Sequence, residues 1–139
     1  MKSLPPFHLA IPVHDLEKAQ DFYGNLLNCQ KGRSNSQWID YNFFGHQLVI
    51  HLDKNLNNHT FNTVDGKDVP VPHFGLVLEW KDWESLKEKL EIANMYFIVE
   101  PYIRFKGEIG EQATMFLLDP SSNALEFKAF KNIDQLFAH

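Results

Sequence analysis

The chain has 139 residues and a formal net charge of -5, from 13 Lys and Arg against 18 Asp and Glu. With 44% hydrophobic residues and twelve Phe it can bury a full core, which excludes an intrinsically disordered chain. The acidic balance, and a sequence without a Lys/Arg cluster, argue against nucleic acid as a partner.

We expect no secretory signal at the N-terminus, because Pro5, Pro6 and Pro12 interrupt a stretch without an apolar core. Nowhere does the sequence approach the roughly 20 apolar residues that a membrane span needs. The single Cys29 excludes an internal disulfide and fits a reducing compartment. Asn58-His59-Thr60 matches a glycosylation pattern, which we interpret as a polar loop. We therefore expect a cytoplasmic protein.

Taken in chain order, the first predicted strand has a counterpart in the second half. FHLAI at residues 7–11 and HFGLV at residues 73–77 both alternate bulky apolar residues with a His or another residue. Alternate residues of a strand point to opposite faces, so His8 and His73 each lie opposite an apolar face. In both segments the residue two positions after the His is small, Ala10 in the first and Gly75 in the second. The sequence therefore contains an internal repeat.

An amphipathic segment follows each of these strands. Asp15 and Asp82 are the predicted N-caps of two helices. Their apolar stripes are Leu16, Ala19, Phe22, Tyr23, Leu26 and Leu27 in the first, and Trp83, Leu86, Leu90 and Ala93 in the second.

Shorter strand-like runs complete each half. The predicted strands are 37–43 and 47–52 around a turn at Gly45, then 96–99, 113–118 and 123–130, with a tight turn at 119–123. The polar segment between the halves reads as a long linker that joins two modules. We predict one α+β domain: module one at about 5–53, a linker at about 54–70, module two at about 71–130, and a C-terminal tail at 131–139.

The repeat places metal-competent side chains at what the sequence indicates are matched positions, His8 with His73 and His51 with Glu126. Two imidazoles and one carboxylate on rigid strands are typical of sites that hold a divalent metal and leave open positions, as in non-haem Fe(II) oxygenases. Each residue taken alone would more often be an ordinary surface side chain. Their repetition favours a metal site made of His8, His73 and Glu126. His51 has three open interpretations: a fourth ligand, an acid/base, or a residue that lines a cavity.

Further candidates follow the second helix. Arg104 could clamp a substrate carboxylate, with Tyr102 as a donor or acid beside the metal, although both residues also fit an exposed strand edge. Glu111 and Gln112 could support the metal site from behind its ligands.

Several of these motifs resemble the vicinal oxygen chelate superfamily, which includes glyoxalase I, extradiol dioxygenases, fosfomycin-resistance transferases, methylmalonyl-CoA epimerase and bleomycin-binding proteins. The motifs are His on the first strand, DLEKA at 15–19, PHFG at 72–75 and DPSSNALE at 119–126. The resemblance extends from Phe7 to Phe130, and is greatest to small predicted extradiol-dioxygenase relatives. It implies two βαβββ modules that form an open curved sheet around the metal.

The same resemblance matches His8, His73 and Glu126 to the three family ligands. It places His51 where glyoxalase I usually has a second carboxylate, which disfavours a glyoxalase. It implies an oxidoreductase of the dioxygenase type that uses one divalent metal, Fe(II) before Mn, Ni or Zn. The alternatives are a lyase or isomerase with the metal as Lewis acid, or a metal-free drug-binding protein, for which three ligands have no use. We expect a small-molecule substrate, no nucleic acid, no membrane, and a homodimer.

Overall fold

The computed structural model of the chain describes residues 4–55 and 60–139. The elements are β1 (His8–Val13), α1 (Leu16–Gln20) with a π-helical continuation (Asp21–Leu26), β2 (Gln30–Ser34), β3 (Trp38–Phe43), β4 (His46–Leu52), β5 (Thr60–Val64), β6 (Lys67–Val71), β7 (Phe74–Leu78), α2 (Trp80–Ile92), β8 (Phe97–Arg104), β9 (Gln112–Leu118), β10 (Ala124–Phe130) and a 3₁₀ turn (Ile133–Gln135). This order repeats βαβββ twice, so the predicted α+β class with two modules is confirmed. Within the described ranges no helix is long and apolar enough to cross a membrane.

Each module forms a four-stranded sheet with the same topology. The strand orders are β1-β4-β3-β2 and β7-β10-β9-β8, with a separate two-stranded sheet of β5 and β6. In both larger sheets the strands that come first and last along the chain, β1 with β4 and β7 with β10, pair in parallel. The remaining pairs are antiparallel. The chain divides into two compact units, residues 1–58 with 119–123, and residues 59–118 with 124–139.

In the first unit, the predicted helix start at Asp15 is confirmed, because its carboxylate accepts the Lys18 N–H at 3.1 Å. Phe22 and Tyr23 from the predicted apolar stripe are buried beneath this helical segment. The Tyr23 hydroxyl donates to Asp119 at 2.7 Å. The same carboxylate accepts the backbone N–H groups of Ser121 and Asn123 in the predicted tight turn, which explains why residues 119–123 belong to this unit.

In the second unit, the predicted cap at Asp82 is wrong, because α2 already begins at Trp80. Glu79 has extended backbone angles, and its carbonyl accepts the Trp83 N–H at 2.9 Å, so the first turn closes before Asp82. Trp83 is buried as its place on the apolar stripe predicts. Its indole N–H donates to the Phe127 carbonyl at 2.8 Å, which fixes the helix on β10.

Three stretches differ from the predicted strands. Residues 30–34, which carried no strand prediction, form the exposed edge strand β2. The predicted strand 96–99 continues as β8 through Pro101 to Arg104, with an irregular register at that proline. The predicted linker contains the β5–β6 hairpin, whose polar residues and Pro70 do not give an alternating strand pattern. Residues 56–59, which include His59 and most of the glycosylation pattern, lie outside the described residues.

Candidate metal centre

The predicted ligands His73 and Glu126 meet on one face of the second sheet. His73 Nε2 lies 3.3 Å from Glu126 Oε1, and the two side chains are 29% and 14% exposed. His73 directly precedes β7, while Glu126 pairs in parallel register with Gly75. A Cβ at position 75 would overlap the Glu126 carbonyl oxygen, so glycine is what lets the two strands come this close. The sequence prediction that this pair converges is therefore consistent with the geometry.

Each of these two side chains is held from the side opposite their contact. His73 Nδ1 lies 2.7 Å from the Pro70 carbonyl oxygen, which can only accept, so Nδ1 carries the donated proton. The Thr114 hydroxyl donates to Glu126 Oε2 at 2.5 Å, and Lys128 Nζ lies 3.8 Å from the same oxygen. This leaves His73 Nε2 and Glu126 Oε1 side by side, each oriented by a partner of the kind that orients ligands in metal sites.

The charges at the pair reinforce each other. Burial alone would raise the pKa of Glu126, but the hydrogen bonds from His73 and Thr114, together with the charge of Lys128, leave that pKa below its usual value. The hydrogen bond to Glu126 raises the pKa of His73 against the opposing effect of its partial burial. A metal binds only an imidazole nitrogen that carries no proton, so metal binding at His73 Nε2 competes with protonation, which the contact with Glu126 favours.

In the first sheet, a chain of hydrogen bonds orients His8. Its Nδ1 lies 2.8 Å from the Gln47 side-chain oxygen, and the Gln47 amide nitrogen donates to both Asp40 oxygens at 3.2 and 3.1 Å. Because the Asp40 carboxylate only accepts, it turns the Gln47 amide oxygen towards His8, so that His8 Nδ1 is the donor in this contact. Asp40 and Gln47 also line an open pocket of about 400 Å³. The sequence did not predict these hydrogen bonds, because alternation alone does not show whether Asp40 lies on the same face of the sheet as His8.

Strand register separates His51 from the position that matches Glu126. Ala10, two residues after His8, pairs with Val49, whereas Gly75, two residues after His73, pairs with Glu126. The counterpart of Glu126 is therefore Val49, and the predicted equivalence of His51 with Glu126 is wrong. His51 lies two residues further along β4, opposite Pro12. A shift of two residues keeps a side chain on the same face, so the alternating pattern could not detect it.

The structure brings together only part of the predicted ligand set. Among the residues that the structure describes, no three or more His, Cys, Asp or Glu side chains are grouped as a metal would require. The His73–Glu126 pair lies within the second unit and His8 belongs to the first. That His8 joins this pair, and that His51 acts as a fourth ligand or an acid/base, stay predictions.

The predicted residues Tyr102 and Arg104 both contact Asp65, at the tip of the β5–β6 hairpin. Arg104 Nε lies 2.6 Å from Asp65 Oδ2, and the Tyr102 hydroxyl donates to the same oxygen at 3.0 Å. Lys67 Nζ lies 4.4 Å from the centre of the Tyr102 ring. The hydrogen bonds from Arg104 and Tyr102 lower the pKa of Asp65, while burial and then Asp65 raise the pKa of Tyr102 to about 12. Sequence analysis missed Asp65 because it lies in the predicted linker.

Glu111 and Gln112 contact the loop before β9. The Glu111 carboxylate accepts the Gly107 N–H at 2.8 Å, and the Gln112 amide donates to the Gly110 carbonyl at 3.2 Å. These contacts place the polar groups of both residues at this loop, and that they support the metal ligands stays a prediction.

The family model of the glyoxalase/bleomycin resistance protein/dioxygenase superfamily matches residues 6–127. The chain belongs to this superfamily. It is 34% identical to a solved glyoxalase/bleomycin resistance protein/dioxygenase from Alicyclobacillus acidocaldarius, with 96% of each chain covered and a TM-score of 0.81. Comparison with curated proteins gives no match.

Two more distant members of this fold carry names that specify different activities. The fosfomycin resistance protein FosX from Listeria monocytogenes is 18% identical, with 97% of this chain and 98% of that chain covered and a TM-score of 0.71. Lactoylglutathione lyase from Agrobacterium tumefaciens is 14% identical over 100% of both chains, with a TM-score of 0.69. At these identities the likeness concerns the fold alone, so the reaction must be argued from the site.

Proposed function

We propose that this superfamily member is a metal-dependent enzyme that binds a small substrate through vicinal oxygens and is closest in chemistry to the extradiol dioxygenases. The observation that carries the proposal is the His73–Glu126 pair, with Nε2 and Oε1 3.3 Å apart. Each side chain has its own orienting hydrogen bond: His73 Nδ1 donates to the Pro70 carbonyl, and the Thr114 hydroxyl donates to Glu126. The proposed ligands are His73, Glu126 and, on the sequence argument, His8.

Two imidazole nitrogens and one carboxylate suit Fe(II), and Mn, Ni and Zn accept the same donor atoms. When bound, the metal supplies Lewis acidity and, as Fe(II), redox chemistry with O₂. The chain itself favours the ionised form of Glu126 through Thr114, and the Pro70 carbonyl engages Nδ1 of His73, so that Nε2 is the ring nitrogen left to bind a metal. These hydrogen bonds hold the donor atoms in place before the metal arrives, which lowers the cost of ordering them.

The apolar side chain of Val49 favours a dioxygenase over a glyoxalase. Val49 occupies the register position that corresponds to Glu126, and it is buried. A glyoxalase-type reaction uses a second carboxylate for ligation and proton transfer, and valine can do neither. Three protein ligands would leave positions for substrate and a small co-ligand, as in non-haem Fe(II) oxygenases.

The second candidate function is that of a lyase or isomerase, and the position of His51 favours it. His51 is exposed and shares a face of β4 with Val49, two residues away. An imidazole there could take and return a proton in place of the missing carboxylate.

The test begins with metal content. Protein purified without oxygen and incubated separately with Fe(II), Mn(II), Ni(II) and Zn(II) should retain about one ion per chain, as expected for one such ligand set. His73→Ala and Glu126→Gln should lose it. His14→Ala is the matched control, because His14 is bonded to Ser121 in the 119–123 turn. A protein that stays metal-free with all four ions, or a His73→Ala variant that still binds the ion, would overturn the proposal.

Oxygen uptake then separates the two candidates. Catechol-dependent uptake by the Fe(II) protein supports the dioxygenase. Two results together favour the lyase or isomerase. The metal-loaded protein consumes no oxygen with any of a panel of catechols, and it exchanges the carbon-bound proton of a 2-hydroxycarbonyl compound with solvent only when His51 is present.

A further inference from the structure

An internal carboxylate occupies a cationic site on the second sheet. Asp65 Oδ2 accepts from both Arg104 Nε and the Tyr102 hydroxyl, at 2.6 and 3.0 Å. The Arg104 and Asp65 side chains remain 21% and 37% exposed, so the pair is open to solvent. Lys67 adds a second positive charge above the Tyr102 ring. Two cations and a phenol hydroxyl are the groups that recognise a carboxylate in a binding site.

The segment that carries Asp65 is a hairpin tip held to the sheet by its stem. Asp65 and Gly66 form the two-residue turn, both with positive φ, of 53° and 75°. Val69, on strand β6 of the stem, is buried in a cluster with Val99 and Phe116. This apolar contact holds the hairpin whether or not its tip is bonded. The Asp65 contact is an exposed ion pair, which an outside anion can replace at little cost.

The cationic site lies on the same face as Glu126. Tyr102 pairs with Thr114 across β8 and β9, and the Thr114 hydroxyl donates to Glu126. Residues that pair across antiparallel strands share a face, so Tyr102 and Thr114 point to one side of the sheet. From β8 to β10 is two strand spacings, about 10 Å, and Tyr102 aligns with Lys128, which is two residues or about 7 Å along the strand from Glu126. Arg104 reaches the same Asp65 oxygen as the Tyr102 hydroxyl, so a small molecule could contact the His73–Glu126 pair at one end and these two side chains at the other.

We propose that Arg104, Lys67 and Tyr102 form a binding site for a carboxylate of the substrate, and that Asp65 occupies this site as an internal competitor when no substrate is bound. If the proposed function holds, on which this site rests, the substrates are small carboxylic acids that carry vicinal oxygens at the other end, such as a dihydroxybenzoate. Binding of the acid displaces the Asp65 carboxylate from Arg104.

The test uses metal-free full-length protein and benzoate, which has the carboxylate but no vicinal oxygens. Binding is followed by shifts of backbone amide NMR signals, with benzyl alcohol as the neutral control. If Asp65 fills the site for about nine-tenths of the time, it raises the apparent Kd of benzoate about tenfold. Asp65→Asn should therefore bind benzoate about tenfold more tightly than the unaltered chain. Asp68→Asn, an exposed carboxylate on β6 of the same hairpin, should leave the Kd unchanged.

The double variant Asp65→Asn with Arg104→Gln should lose benzoate binding while keeping a dispersed amide spectrum. An Asp65→Asn protein that binds no more tightly than the unaltered chain would overturn the internal competitor. Benzoate binding that persists in the double variant, or equal binding of benzyl alcohol, would overturn the anion site. Because no metal is present, these outcomes are independent of the metal-content test. Metal binding by His73 and Glu126 can fail while the benzoate result stands, and the reverse also holds.

Discussion

Replacing Thr114 by Val tests whether the hydroxyl behind Glu126 prepares a metal ligand. Thr114 is 2% exposed on β9, and its hydroxyl donates to Glu126 Oε2 at 2.5 Å. Valine has nearly the same shape and is favoured in strands, so the change removes the hydrogen bond without opening a cavity. The remaining contacts of Glu126, to His73 and Lys128, stay in place.

The size of the effect follows from the charge on the acceptor. A hydrogen bond to a charged group contributes about 1.5–3 kcal/mol. At 1.36 kcal/mol for each tenfold change in proton affinity, its loss should raise the pKa of Glu126 by about one to two. Loss of a hydrogen bond behind a metal ligand typically lowers metal affinity by about 10- to 100-fold. We expect both changes in Thr114→Val.

The pKa of Glu126 can be followed by carboxyl ¹³C NMR of the metal-free protein, and metal affinity by Zn(II) competition with a chelator at pH 7. Thr63→Val, an exposed threonine on β5, is the matched control and should change neither quantity. A Thr114→Val protein with an unchanged Glu126 pKa and a Zn(II) affinity within twofold of the unaltered chain would refute the reasoning.

Three further substitutions test other contacts. Asp40→Asn should release the Gln47 amide to flip, so that the fraction of the His8 ring protonated at Nδ1 falls, as measured by ¹⁵N NMR. Burial, and then Cys29, raises the pKa of Tyr41 to about 12. The unfolded tyrosine loses its proton near pH 10, while the native Tyr41 keeps it. The contribution of Tyr41 to stability is therefore complete below pH 10 and is lost as the pH rises towards about 12. Tyr41→Phe should make that fall shallower in melts at pH 8 to 11. Gly75→Ala should lower the melting temperature, because its Cβ overlaps backbone atoms of β10.

Each of these three has an outcome that would contradict it. For Asp40→Asn, that outcome is an unchanged ring tautomer, which would mean that the carboxylate does not set the Gln47 orientation. For Tyr41→Phe, the contradicting outcome is a lower melting temperature at pH 8. Among the described residues the buried Tyr41 hydroxyl has no hydrogen-bond partner, so its removal should not lower the free energy of unfolding. For Gly75→Ala, it is a melting temperature equal to that of the unaltered chain.

Much of the second sheet could be predicted from alternation. A strand exposes every second residue, so the polar positions of the runs at 73–77 and 124–130 predict one face that carries His73 and Glu126. The parallel pairing of β7 with β10 then brings the two side chains together. Their partners, the Pro70 carbonyl and the Thr114 hydroxyl, come from other strands and leave no pattern of their own in the sequence.

The first sheet shows what alternation cannot give. His51 and Val49 lie on the same face of β4, and only the register with β1 decides which of them matches Glu126. The hairpin that carries Asp65 lies in the predicted linker, because its polar residues and Pro70 obscure the alternating pattern of a strand. The start of the first helix was better predicted than that of the second, because the Asp15 side chain caps α1, whereas the Glu79 side chain makes no cap hydrogen bond before α2.

The most direct measurement of the central claim is pulsed EPR of the Mn(II)-loaded protein made with ¹⁵N-labelled histidine. A site of His8, His73 and Glu126 predicts couplings from two imidazole nitrogens. One coupling should disappear in His8→Gln and the other in His73→Gln, while His14→Gln leaves both. A spectrum without histidine couplings, or one that neither His8→Gln nor His73→Gln alters, would contradict the account.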